Sequence, residues 1–143
     1  MGGWDEGASG VVVLPDGRRI RGRGLLAGCP DDQPDPGFAV HLTGRPPAVP
    51  VWESRWVRWP DFWLPMRPSD AVAALREALE RSADERVEIA CRGGTGRTGT
   101  ALAVLARMAG VPPGEAVAWV RDNYRPRAVE TPWQRVFARR VSV

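Results

Sequence analysis

The chain has 143 residues, 20 basic against 17 acidic, a net charge of +3 and an apolar share of 43%. That profile fits one domain with its own hydrophobic core, residues 1–143, and excludes a disordered chain or a disulfide-stapled miniprotein. Every basic residue is arginine, and the pI of 9.6 rests on too small a net charge to argue for nucleic acid.

Residues 1–10 are glycine-rich and read as flexible. Val11–Leu14, the turn Pro15-Asp16-Gly17 and Arg18–Leu26 read as a β-hairpin. The arginines at 18, 19, 21 and 23 are read as the exposed face of its second strand, in preference to a nucleic-acid patch. Residues 28–37 form a loop, Phe38–Leu42 a short strand carrying the only histidine, His41, and Trp52–Trp59 a further strand.

Ser69 reads as the N-cap of a helix over Asp70–Arg81, with Val72, Leu75 and Leu79 on one face. Glu77 and Arg81 pair across one turn of its outer side. A strand over Val87–Ala90 leads into Cys91, and a helix runs from Arg97 to Ala109, stopped by Gly110. Pro113 opens another helix ending near Tyr124, and Thr131 caps a last one with Pro132 at its first position. The order of elements predicts an α/β fold: a central sheet flanked by helices, an N-terminal β-hairpin, and a site at the carboxyl end of a strand.

Cys91-Arg92-Gly93-Gly94-Thr95-Gly96-Arg97-Thr98 carries the chemistry. A strand that stops at a cysteine, a glycine-rich turn and a helix start gather backbone N–H groups around one point, which suits a phosphate dianion. The same positive field favours a thiolate over a thiol. Arg92, Gly93, Gly94, Thr95, Gly96 and Arg97 form the expected phosphate cradle. The run is no Walker loop, because Arg97 stands where lysine is required.

Thirty residues upstream of the cysteine stands Trp59-Pro60-Asp61-Phe62, and downstream Thr131 is followed three positions later by Gln134. With these three motifs in order, the chain resembles the protein tyrosine phosphatase superfamily over about residues 55–140, in particular its compact, dual-specificity-like members. The resemblance implies a cysteine-phosphatase fold and hydrolysis of a phosphate monoester, phosphotyrosine or related, through phosphocysteine. Cys91 would be the nucleophile, Arg97 the grip on two phosphate oxygens, Asp61 the general acid and then base, and Thr98 a donor to the sulfur. Gln134 would position the second-step water. Thr131-x-x-Gln134 is equally a capping box, so the two readings of Gln134 stand side by side.

The chain departs from the family pattern at Ala90, where histidine usually precedes the cysteine, at Trp63, where glycine is common, and at Glu130, where glutamine is usual. Ala90 and Trp63 motivate a second reading, a phosphate-binding pseudophosphatase. A rhodanese-like sulfurtransferase is a third, which Asp61 argues against. Cys29 reads by default as a buried, inert thiol, and as a redox partner for Cys91 by analogy with some family members. No metal or other cofactor is expected, and the partner is a phosphorylated protein or small molecule rather than nucleic acid or membrane. With no signal-peptide pattern and no long apolar run, the chain is read as cytoplasmic.

Overall fold

Five strands form one sheet in the computed structural model, which describes residues 3–48 and 50–143. The strands are β1 (Val11–Val13), β2 (Arg19–Gly24), β3 (Phe38–Thr43), β4 (Glu53–Arg58) and β5 (Val87–Cys91), in the order β1-β2-β5-β3-β4. β1 and β2 form the expected antiparallel hairpin, while β2, β5, β3 and β4 pair in parallel. β5, with its wholly buried run, is therefore central, and Cys91 is its last residue.

Alternation along β5 sends Val87, Ile89 and Cys91 into the main core with α1 (Pro68–Arg81) and α2 (Gly96–Met108). Every residue of α2 from Gly96 to Ala106 is buried, because α3 (Ala116–Asn123) and α4 (Pro132–Arg140) cover the side away from the sheet. Ser69 is not the cap of α1. The helix starts two residues earlier than Asp70, with Pro68 at its first position and no side-chain cap from Arg67, since the fixed φ of proline already suits a first turn. Pro113 opens a 3₁₀ turn over Pro113–Glu115, and the α-helix begins at Ala116. Arg81 binds Glu77 as expected, and also Glu53 of β4 and Glu85, tying α1 to the edge strand.

The other face of the sheet corrects two expectations. Trp4 is only 1% exposed and its Nε1 donates to Val87 O at 2.8 Å, so the segment beginning at Gly3 is anchored from its second residue. Met1 and Gly2 lie outside the described residues. Arg21 and Arg23 are buried, not displayed: β2 lies inside the sheet, and its parallel register brings both beside the fully buried Glu88 of β5. Arg21 hydrogen-bonds Glu88, and Arg23 Nε lies 2.9 Å from the other carboxylate oxygen. The Arg21 guanidinium sits 4.1 Å from the Trp4 ring centroid, so the N-terminal segment roofs this ion cluster. Among the described residues no helix is long and apolar enough to cross a membrane.

Candidate active site

The loop after β5 and the strand beside it need glycine at one place each. Gly94 has φ +74°, and β2 passes so close that a Cβ on Gly24 would lie 2.6 Å from Gly93 O. That approach comes from the parallel pairing of β2 with β5, which ends with Gly24 opposite Cys91. The turn directs the Gly94 N–H at Cys91 Sγ, 3.2 Å away. Cys91 is 2% exposed, a free thiol at the floor of a cavity of about 230 Å³. Cys91, Arg92, Gly93, Thr95, Gly96, Arg97 and Asp61 all line it, whereas Gly94 and Thr98, also expected at the site, do not.

Arg97, in the first turn of α2, is 5% exposed and braced by its contacts. Its Nη1 donates to Trp59 O at 3.0 Å and its Nη2 stands 3.4 Å from Asp61 Oδ1. Thr98 is buried, and its Oγ1 has no hydrogen-bond partner among the described residues. Arg92 is exposed at the rim, where Leu26 N donates to its carbonyl.

The loop bearing Asp61 folds as a tight turn. Trp63 N donates to Pro60 O at 3.1 Å, and Phe62 takes φ +58° at the turn's third position. A bulky residue held in that left-handed region stores about 1–2 kcal/mol, so surrounding contacts must hold it. Trp133 Nε1 donates to Phe62 O, while Trp59 Nε1 and Gln134 Nε2 both donate to Trp63 O. The Trp63 and Trp133 rings lie 5.6 Å apart, so tryptophan at position 63 docks the Asp61 loop onto α4.

Gln134 is where the water-positioning expectation fails. Its oxygen accepts from the Thr131 and Glu130 N–H groups, completing a capping box, and its nitrogen holds Trp63 O. It is fully buried and does not line the cavity; each end of its amide is committed to backbone. From the same segment it is Glu130 that reaches the cavity. Arg121 clamps the carbonyls of Ala128 and Val129, and Val129 is held at φ +67°, turning the chain so that the Glu130 carboxylate lies over Gly96. A Cβ on Gly96 would meet the Glu130 carboxylate, the end of a flexible exposed side chain that would have to shift. The signal in the sequence was the departure from glutamine, but only the tertiary fold shows what it does.

His41 is buried opposite Ala90, outside the cavity lining, with neither ring nitrogen bonded among the described residues. Burial holds its pKa below the ordinary 6.5, reinforced by Arg23 and opposed by Glu88. Cys29 is exposed rather than buried, and both cysteines are free thiols. Among the described residues no group of three or more His, Cys, Asp or Glu side chains is arranged to hold a metal ion.

A family model described as protein-tyrosine phosphatase matches residues 38–143. Among solved structures, the crystal structure of Tk-PTP in the active form is 28% identical with a TM-score of 0.67; the match covers 86% of this chain and 90% of that one. A mutant form of Tk-PTP is 29% identical with a TM-score of 0.63, covering 73% of this chain and 75% of the other. No curated protein matches at comparable stringency.

Proposed function

The chain belongs to the protein-tyrosine phosphatase family, and from that premise we propose that it hydrolyses aryl phosphate monoesters through a phosphocysteine at Cys91. The observation that carries this reading is the Gly94 N–H aimed at Cys91 Sγ inside a cavity that Arg97 and Asp61 also line. The anionic sulfur would attack phosphorus while the bond to the leaving oxygen breaks. Asp61 gives that oxygen its proton; water then attacks the phosphocysteine, the P–S bond breaks, and Asp61 takes the water's proton as inorganic phosphate leaves.

Arg97 would hold two equatorial oxygens with its planar fork, and the loop N–H groups would share the remaining charge. Its contacts with Trp59 O and Asp61 keep the guanidinium in place, which limits the ordering cost on binding. The Thr98 hydroxyl, buried and without a partner among the described residues, would be a donor to the sulfur as the P–S bond breaks. Thiosulfate sulfur transfer has no use for an acid at Asp61, so its place against Arg97 favours phosphoryl transfer.

An aryl leaving group is favoured by the mouth of the cavity. Leu26 and Phe62 line it and are 73% and 55% exposed, apolar side chains facing solvent where a substrate must enter. Flat apolar walls favour an aromatic ring over a short alkyl chain. Steady-state hydrolysis of phosphotyrosine and phosphoserine peptides of one sequence tests the proposal. The phosphotyrosine peptide should be preferred at least tenfold in kcat/KM, and Cys91→Ser should abolish turnover of both. Equal rates on the two would remove the aryl preference, and turnover by Cys91→Ser would remove the nucleophile.

A further inference from the structure

Two adjacent residues that do not line the cavity hold the outside of its loop. Tyr124 Oη donates to Gly94 O at 2.5 Å. Arg125 Nη1 donates to Gly93 O and to Thr95 Oγ1, each at 3.0 Å. The Arg125 guanidinium stands 5.0 Å from the Tyr124 ring centroid, so the pair acts as one clamp. Gly22 makes room for it: a Cβ there would come within 2.6 Å of the tyrosine ring. Burial pushes the Tyr124 phenol up to about 12, so it remains a donor at neutral pH.

A trans peptide unit carries its C=O and N–H on opposite sides. The carbonyl of Gly93 and the N–H of Gly94 belong to one such unit, and that N–H is the donor to Cys91 Sγ. Arg125, the peptide and the sulfur are thus in series: a cation on the carbonyl oxygen, an amide dipole between, an anion-stabilising N–H at the far end. A carbonyl that accepts from a cation makes its own N–H a stronger donor. The next unit joins Gly94 O, held by Tyr124, to the N–H of Thr95, a residue of the cavity wall.

We propose that Arg125 and Tyr124 are positioning residues for the nucleophile and its phosphate. Arg125 holds the Gly93–Gly94 peptide so that its N–H meets Cys91 Sγ, and Tyr124 holds the following peptide so that the Thr95 N–H faces the bound anion. The catalytic consequence rests on the phosphatase reading, but the orientation of the loop does not.

The test reads Cys91 alkylation by iodoacetamide against pH, together with binding of vanadate, neither of which needs turnover. Arg125→Ala should move the alkylation midpoint upward by about half a pH unit, a modest shift because Arg125 is partly exposed. Arg125→Lys should recover most of that shift, since a single ammonium can still reach the Gly93 carbonyl. Tyr124→Phe should leave the midpoint in place and weaken vanadate binding by roughly three- to tenfold, the loss of one aligned donor. The other charged groups facing the sulfur's cavity (Arg92, Arg97, Asp61 and Glu130) are the same in all three variants.

Should Arg125→Ala not fold, Arg125→Gln is read in its place with the same expectation. An unmoved midpoint in Arg125→Ala (or in Arg125→Gln where that is read in its place), or unchanged vanadate affinity in Tyr124→Phe, overturns the proposal. A shifted midpoint in Arg125→Ala, with a parent protein that hydrolyses no phosphate ester, would sustain the loop clamp while refuting the phosphatase reading.

Discussion

Asp61 Oδ1 stands 3.4 Å from Arg97 Nη2, while Arg97 Nη1 holds the carbonyl of Trp59, two residues before that aspartate. One guanidinium therefore joins the loop carrying Asp61 to the loop after β5, which under the proposed mechanism sets the proton donor beside the group that would grip the anion. If Asp61 protonates the leaving oxygen, Asp61→Asn should slow phenyl phosphate by about 100-fold or more. An activated ester such as p-nitrophenyl phosphate, whose leaving group needs little help, should slow by less than about tenfold. Comparing kcat for the two esters checks this, and an equal loss on both assigns Asp61 to binding instead of acid catalysis.

Glu130 lines the same cavity as Arg97. A carboxylate there opposes a dianion through the partial screening of an open site. Glu130→Gln should tighten vanadate binding by about three- to tenfold at neutral pH and low salt, with a smaller gain at high salt. Inhibition constants at two ionic strengths provide the measurement. Weaker binding in the variant would mean that Glu130 helps to organise the anion site.

Glu88 lies between two buried arginines, Arg21 and Arg23, on the sheet face beneath Trp4. Removing it leaves two buried cations without their counter-ion, a loss of about 3–5 kcal/mol. Glu88→Ala should therefore lower the urea midpoint sharply, and Glu88→Gln only somewhat less. A change within experimental error would mean that water or other groups already solvate the two guanidinium ions.

His41 makes stability depend on pH above the carboxylate range. Its pKa in the folded protein is below the ordinary 6.5, mainly through burial, with Arg23 and Glu88 as the charged groups acting on it. Above that ordinary value both folded and unfolded chains carry a neutral imidazole, and His41 adds no slope. As the pH falls through it, the unfolded chain binds a proton that the folded one refuses, so stability drops. Between pH 7 and 5.5 the parent should lose stability while His41→Leu should lose less. Tm against pH for both proteins gives the comparison, and parallel curves would clear His41 of the effect.

The parts of the site legible in the sequence are those written in consecutive residues. Cys91 to Thr98 and Trp59 to Phe62 each form a local turn whose glycines, proline and helix start are readable without neighbours. The capping box at Thr131 and Gln134 was equally local. Hidden were features that depend on which strand lies beside which. The arginines of β2 have the spacing of a solvated strand face, and only parallel pairing with β5 supplies Glu88. Ser69 looked like a cap because sequence alone does not show that Pro68 is already in the helix. Tyr124 reads as the end of a helix, although it and Arg125 hold a loop 30 residues earlier. Gln134 turned from the water to the acid loop because Trp63 docks on α4.

The central claim is that the sulfur of Cys91 becomes covalently bonded to phosphorus. Rapid acid quench of the enzyme during turnover of an aryl phosphate, followed by mass analysis of its peptides, reads that bond directly. The account predicts one added phosphoryl group, confined to the peptide containing Cys91, enriched in Asp61→Asn and missing from Cys91→Ser. Full turnover by the parent with no phosphoryl group on that peptide, or with the label on another side chain, would contradict it.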